Sequence, residues 1–143
     1  MPHITEIGLT FIVLALCVAA SATAADVVAV VSAKNPVTTL SKSQIADIFL
    51  GKANRFPDGR PASPVDQVEG LPARDAFYLK FAGKSPAQIK AHWSKIIFTG
   101  RGQPPHEVAN GVEVKKHIVE NPNSIGYIEQ NLVDDSVRVL LAE

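Results

Sequence analysis

The residues best suited to chemistry lie around the start of one predicted helix, in the stretch EGLPARDAF from Glu69 to Phe77. A glycine and a proline at an early helical position precede apolar residues spaced four apart, at Ala73 and Phe77, which is typical of a helix start. The first N–H groups of a helix have no partner within it and can hold an anion. The pattern therefore raises anion binding as the first chemical hypothesis.

Two arginines could supply positive charge to such a site. Arg74 lies in the first turn of the predicted helix, with Asp66, Glu69 and Asp75 close by in sequence. It is either a solvated residue paired with Glu69 or another of these acids, or a ligand contact. Arg101 lies between two glycines in TGRGQ, which permits either a loop whose N–H groups converge on an anion or a plain tight turn.

Catalytic and metal-binding patterns are weak. The histidines His92, His106 and His117 show no helical pair spaced four apart and backed by a carboxylate, as a zinc enzyme would need. The sequence lacks a G-x-S-x-G nucleophile turn, and the adjacent Asp134 and Asp135 would point in different directions. We therefore predict a protein that is not an enzyme and uses no cofactor or metal.

The composition limits the possible partners. The 143 residues contain 14 lysines and arginines against 14 aspartates and glutamates. This balance provides no basic field for a phosphate backbone, so nucleic acid is not expected as a partner. A hydrophobic content of 46% with 20% charged residues is ordinary for a folded domain.

Residues 1–24 are expected to form an export signal that lies outside this domain. The apolar run Gly8–Ala20 is too short to span a bilayer, and Ala22 and Ala24 fit an A-x-A cleavage site after Ala24. Two alternatives remain open: a short membrane anchor that is never removed, and a lipid on Cys17, although the residue before it is not small. Cleavage would leave a periplasmic domain, 25–143, without any cysteine.

Hydrophobic patterns and capping signals predict alternating strands and helices in a single α/β domain. Ser41 with Gln44 forms a capping box, and Gly51 supplies a left-handed stop for that helix. The predicted strands cover 26–33, 62–67, 124–129 and 136–142. The predicted helices begin at Ser41, near Leu71, at Ser85 and at Asn110; the third has an apolar stripe of Ile89, Trp93, Ile96 and Ile97, and residues 98–105 form a loop.

Two stretches carry a resemblance to a known family. LSKSQIADIFLGK, from Leu40, and NPNSIGYIEQ, from Asn121, resemble the periplasmic phosphate-binding proteins of ABC transporters. The resemblance extends over essentially the whole mature chain. It implies a type II periplasmic-binding-protein-like fold, in which two α/β lobes normally enclose the ligand. This chain is too short for two lobes, so it is expected to form one lobe, a small mixed sheet flanked by helices.

The resemblance also implies where a ligand would bind. A typical member has arginine at the position of Gln67 and Ser-Gly-Thr at Leu71, Pro72 and Ala73, and these residues hold phosphate. The replacements here delete hydroxyls, one backbone N–H and a guanidinium. The candidate ligand-binding residues of this chain are Gln67, Gly70, Ala73, Arg74 and Arg101.

Two functional hypotheses follow from the resemblance and the altered site. The first is an exported solute-binding lobe that takes phosphate or another small anion with weakened affinity and serves an ABC transporter permease or an envelope sensor protein. It could complete its cleft as a homodimer or with another chain. The second is an envelope interaction or regulatory protein that has lost ligand binding.

Overall fold

The computed structural model describes residues 26–141, so the expected export signal lies outside the described residues. Strands and helices alternate along most of the described chain. The strands are β1 Val27–Ser32, β2 Ser63–Gln67, β3 His106–Val108, β4 Ser124–Glu129 and β5 Val137–Val139. The helices are α1 Lys42–Phe49, α2 Pro72–Ala82, α3 Pro86–Thr99 and α4 Gly111–Glu120, with a short 3₁₀ turn at Gln130–Leu132.

The five strands form one mixed sheet in the order β3-β2-β4-β1-β5. β2 is parallel to both β3 and β4, whereas β1 is antiparallel to β4 and β5. Residues of α1, α2 and α3 form the larger apolar core with one face of the sheet, and α4 packs in a second, smaller core. The predicted class, a small mixed α/β sheet flanked by helices, is confirmed.

Local capping signals set where the helices begin. Ser41 and Gln44 exchange both hydrogen bonds of a capping box at α1, and Ser85 and Gln88 do the same at α3. The Asn110 side chain accepts from the N–H of Glu113 at the start of α4. These short-range bonds satisfy N–H groups that a helix leaves unpaired at its first turn. The three predicted starts are therefore confirmed.

Four details of the sequence reading are wrong. α3 continues through Phe98 and Thr99, which were predicted to be loop, and Ile97, which was placed in the apolar stripe, is 56% exposed. The strand β3 was not predicted, and β5 ends at Val139 instead of near residue 142. The helix outruns its apolar stripe because Gly100, which adopts the left-handed conformation at φ 67°, is the residue that ends it.

One glycine in the sheet sets the distance to α4. A Cβ atom at Gly126, in β4, would lie 2.5 Å from Val114 and 3.0 Å from Ile118. The bare backbone at this position therefore lets α4 approach the sheet closely. None of the helices within 26–141 is both long and apolar enough to cross a membrane.

Candidate functional site

The candidate residues lie where β2 ends and α2 begins. Gln67 is the last residue of β2, Gly70 turns the chain with φ 91°, and Pro72 is the first residue of α2. Because β2 and β4 run parallel, the end of β2 lies beside Tyr127 of β4. The ring of Phe77 stacks on that tyrosine at 4.0 Å and holds it in place.

A buried carboxylate occupies the centre of this corner. Asp66 is 1% exposed and accepts hydrogen bonds from the hydroxyl groups of Tyr78 and Tyr127. It also accepts from the backbone N–H of Gln67 at 2.8 Å, and a guanidinium nitrogen of Arg74 lies 3.5 Å away. Two hydroxyls, one N–H and one cation are donors of the kind that would otherwise bind an oxyanion.

Arg74 is buried, at 8% exposure, and of the nearby acids it pairs with Asp66, as one alternative of the sequence reading allowed, and not with Glu69. Its Nη1 donates to the backbone oxygen of Gln67 at 2.8 Å and to Glu107 Oε1 at 2.9 Å. The solvated reading is wrong because the side chain folds back over the end of β2 instead of leaving the first turn of α2. The cation therefore lies between two carboxylates of its own chain, Asp66 and Glu107.

Gln67 is fully buried and is turned towards β4. Its Nε2 donates to the backbone oxygen of Tyr127 at 3.0 Å. Its Oε1 is buried without a hydrogen-bond partner among the described residues. An unpaired acceptor at this position disfavours an anion beside it.

The start of α2 contributes few donors. Leu71 occupies the capping position, and within 26–141 its side chain supplies no capping bond, while Pro72 has no N–H to offer. The N–H of Arg74 bonds to the oxygen of Leu71 at 3.1 Å. Ala73 is buried and carries no polar side-chain atom. This helix start is therefore poorly equipped to hold an anion.

A surface cavity of about 260 Å³ adjoins the corner. Gly70 and Arg74 line it, and its charged lining residues are two acids, Glu69 and Asp75, and two bases, Arg74 and Lys90. The structure thus brings Gln67, Gly70, Ala73 and Arg74 together. Arg101 is exposed after α3, its N–H bonds to the oxygen of Ile96, and the hydrogen bonds and ion pairs of this corner do not include it.

Burial and charge shift the acid–base behaviour of this cluster. Burial raises the pKa of Asp66, although hydrogen bonds from Tyr127 and Tyr78 and the charge of Arg74 oppose the rise. Burial and the neighbouring carboxylate also raise the pKa of both tyrosines, so they stay protonated as donors. Burial opposes the charge on Arg74, but the attraction of Asp66 and the hydrogen bond to Glu107 raise its pKa overall.

Sequence reasoning missed Tyr78, Tyr127 and Glu107 as members of this cluster. Tyr78 lies four residues after Arg74 on α2, a spacing that places both on one helix face and could have identified it. Tyr127 and Glu107 come from distant strands and gave no local signal. Within 26–141, no group of three or more His, Cys, Asp or Glu side chains is placed to hold a metal ion.

Comparison with known proteins identifies the fold. No protein-family model and no curated protein matches the sequence. Among solved structures, one described as a phosphate ABC transporter substrate-binding protein with bound phosphate, from Clostridium perfringens, is similar with a TM-score of 0.65, 24% identity and 82% of this chain covered. An ABC-type phosphate transport receptor from Vibrio cholerae has a TM-score of 0.65, 19% identity and 82% coverage. PstS from Borrelia burgdorferi has a TM-score of 0.64, 14% identity and 83% coverage.

This chain covers only 45%, 46% and 47% of those three structures, respectively. The resemblance drawn from the sequence is thereby confirmed for the fold, at a length that fits one lobe. The first two of these structures are described as phosphate transport proteins.

Proposed function

We propose that this chain is a non-catalytic solute-binding lobe of the phosphate-binding-protein type whose own phosphate site is closed. The observation that supports this most directly is the position of Asp66, whose carboxylate accepts from Tyr78, Tyr127 and the N–H of Gln67 beside Arg74. An incoming anion would have to displace a carboxylate that cannot leave, because it belongs to the chain. Affinity for phosphate is therefore expected to be weak.

The cellular setting is part of the same proposal. The solved neighbours belong to ABC transport systems, and the first 24 residues of this sequence have the pattern of a cleaved export signal. We infer a periplasmic protein, cut after Ala24, that works beside a transporter permease or an envelope sensor. Intact-mass measurement of the protein recovered from the periplasm tests this: a mature chain beginning at Ala25 supports it, and a retained signal contradicts it.

Isothermal titration with phosphate and with sulfate tests the closed site. For the wild-type protein we expect no saturable heat at micromolar anion, because micromolar affinity needs about 8 kcal/mol of binding free energy and few unpaired donors remain. Saturable micromolar binding of phosphate would contradict the proposal. Arg101→Gln is the matched control, since this arginine lies outside the cluster and its loss should change nothing.

A restored site tests the role of Asp66 itself. The double variant Gln67→Arg with Ala73→Thr returns a guanidinium and a hydroxyl but leaves the internal carboxylate, which would neutralise the new cation. Adding Asp66→Asn removes that competition, so phosphate affinity should rise more in the triple variant than in the double variant. An equal gain in both, with folding verified by circular dichroism, would show that Asp66 does not close the site.

Partner binding without a soluble ligand is a second candidate, favoured by the far end of α3. Phe98 is 92% exposed and its neighbour Ile97 is 56% exposed, an unusual position for two large apolar side chains. Sedimentation velocity compares the wild type with Phe98→Ser. A dimer that the substitution dissociates would favour this candidate, and a monomer in both cases would leave the solute-binding lobe as the better account.

A further inference from the structure

Two histidines meet on the side of the sheet that α4 covers. The rings of His106, in β3, and His117, in α4, lie with their centres 5.1 Å apart and their planes tilted by 33°. Because the two residues belong to different elements, a search for histidines spaced four apart along one helix does not find them. The expectation of no metal site rested on that search, so the pair requires a separate assessment.

The sheet and α4 bring the two rings together. In the parallel pairing of β3 with β2, His106 is in register with Val65, which is buried in the smaller core with Val114 and Ile118 of α4. Residues in register point to the same face of a sheet, so His106 lies on the face that α4 covers. His117 directly precedes Ile118 on that helix. The backbones of two packed elements therefore hold the pair.

Both rings are accessible and have nitrogens to offer. His106 is exposed and His117 is half-buried, so an ion from solution can reach them. Within 26–141, neither ring makes a hydrogen bond or an ion pair, whereas Nε2 of His92 lies 2.8 Å from the backbone oxygen of Leu50. A neutral imidazole nitrogen is a common ligand of zinc, copper and nickel ions in proteins.

The separation of the two rings matches a shared ion. Zn–N bonds of about 2.0–2.1 Å at a tetrahedral angle place the centres of two imidazole rings about 5 Å apart. The observed 5.1 Å agrees with this value, so the rings would only have to rotate in place to direct one nitrogen each at a common ion. No movement of β3 or α4 is required.

The charges around the pair favour a cation. Glu113 lies four residues before His117 and Glu120 three residues after it, so both carboxylates are on the same side of α4 as the imidazole. His117 and Glu120 also line a surface cavity of about 360 Å³, which has room for water molecules. The adjacent Lys116 does not face His117, because neighbours in sequence point to different sides of a helix.

We propose that His106 and His117 form a binding site for a divalent transition-metal ion of the zinc class, with water completing its coordination. Structural zinc sites use four protein ligands, so a site with two imidazoles binds more weakly and exchanges its ion with solution.

Isothermal titration with zinc chloride tests the site directly. The chain is prepared without a histidine tag and kept in a phosphate-free buffer. We expect saturable binding of one ion per chain. Magnesium chloride is the control, because Mg²⁺ has the same charge but prefers oxygen ligands and should not bind. Heat that does not saturate with zinc, or equal binding of magnesium, would overturn the proposal.

Variants test whether both rings act on the same ion. His106→Gln and His117→Gln should each weaken zinc binding by more than about tenfold, since the loss of even an outer-shell partner costs about 10- to 100-fold. His92→Gln, which removes a histidine outside the pair, is the matched control and should bind like the wild type. Weakening in only one of the two pair variants, with folding verified by circular dichroism, would contradict a shared ion.

Stability provides an independent readout of the same site. Folding brings the two histidines together, so the ion binds the folded chain in preference to the unfolded one. Zinc should therefore raise the urea midpoint of the wild type and leave that of the variant with both substitutions unchanged. An unchanged midpoint in the wild type would overturn the proposal. Phosphate is absent from these experiments, so their outcome is independent of the closed corner.

Discussion

The two ends of β2 differ in how their buried polar groups are paired. At the carboxyl end, Asp66 takes up two tyrosine hydroxyls and a backbone N–H beside the guanidinium of Arg74. Near the amino end, Trp93 lines a cavity, and its indole N–H is buried without a hydrogen-bond acceptor among the described residues. The first cluster pairs its buried polar groups within the chain, whereas the second leaves one buried donor unpaired.

This difference shows that one strand can end in a paired polar cluster and begin beside an unpaired one. At the start of α2, the buried Asp66 accepts the hydrogen bonds of two tyrosine hydroxyls and of the N–H of Gln67, so these donors are paired within the chain. A buried network that is nearly fully satisfied contributes to a rigid, unique core. The exception is Gln67 Oε1, an acceptor that does not favour an anion.

The largest expected effect is the loss of the buried cation. Arg74→Met would leave Asp66 buried without its positive neighbour, and breaking such a pair costs about 3–5 kcal/mol. Urea unfolding monitored by circular dichroism should show this loss of stability. Arg101→Met is the control, because an exposed substitution outside the cluster should cost less than about 0.5 kcal/mol. Similar stability of the two variants would show that Arg74 does not support the cluster.

The next largest loss of stability is expected when the Tyr78 hydroxyl, which donates to Asp66, is removed. Tyr78→Phe removes a donor to Asp66 and should lower the free energy of unfolding by about 1–3 kcal/mol, because a buried carboxylate oxygen loses a partner. A double-mutant cycle with Asp66→Asn, measured by urea unfolding, should show coupling between the two changes. Strictly additive losses would mean that the hydroxyl and the carboxylate do not act together.

Acid–base linkage gives a third test. Because the pKa of Asp66 is raised above its ordinary 3.8, the folded protein binds a proton over a range where the unfolded chain does not. Stability from this group is therefore present at acid pH and falls as the pH rises from about 3.8 through the raised value, by at most about 1.4 kcal/mol per pH unit. The free energy of unfolding of the wild type relative to that of Asp66→Asn, measured by urea unfolding at each pH, should fall over that range. A rise over the same range would mean that the pKa of Asp66 is lowered by folding.

The smallest effect is expected at the other end of the strand. Trp93→Phe loses some packing but also removes an unpaired buried donor, so the two contributions offset each other and the cost should stay below about 1.5 kcal/mol. Urea unfolding of Trp93→Phe and Tyr78→Phe under the same conditions makes the comparison direct, since both variants delete one polar hydrogen from a buried aromatic side chain. A larger loss for Trp93→Phe would mean that its N–H is satisfied in solution.

Local signals allowed much of the fold to be predicted. The caps at Ser41, Ser85 and Asn110 act within four residues, and their helices begin where expected. The resemblance of LSKSQIADIFLGK and SIGYIE to phosphate-binding proteins identified the correct architecture. The short, mostly polar strand His106–Val108 was missed because its pairing with β2 is decided by the sheet and not by its own residues.

The candidate site was predictable only in its location. Gln67, Gly70, Ala73 and Arg74 do meet at one corner, as neighbours in sequence must. The hydrogen-bonding groups that decide its chemistry come from residues that are distant in sequence. Tyr127 lies 61 residues from Asp66 along the chain. No spacing rule connects residues that meet only through strand pairing, so the hydrogen bonds that Asp66 accepts at this corner could be identified only from the structure.

The position of β1 in the sheet has a consequence for biosynthesis. β1 lies between β4 and β5, with Val27 paired to Glu129 and Ser32 paired to Val137. A strand emerging early from the ribosome must therefore wait for about 100 further residues before either neighbour exists, and such long-range pairing slows folding. The apolar β1 segment would stay unpaired throughout that interval, and an unpaired strand edge is prone to aggregate until the sheet closes.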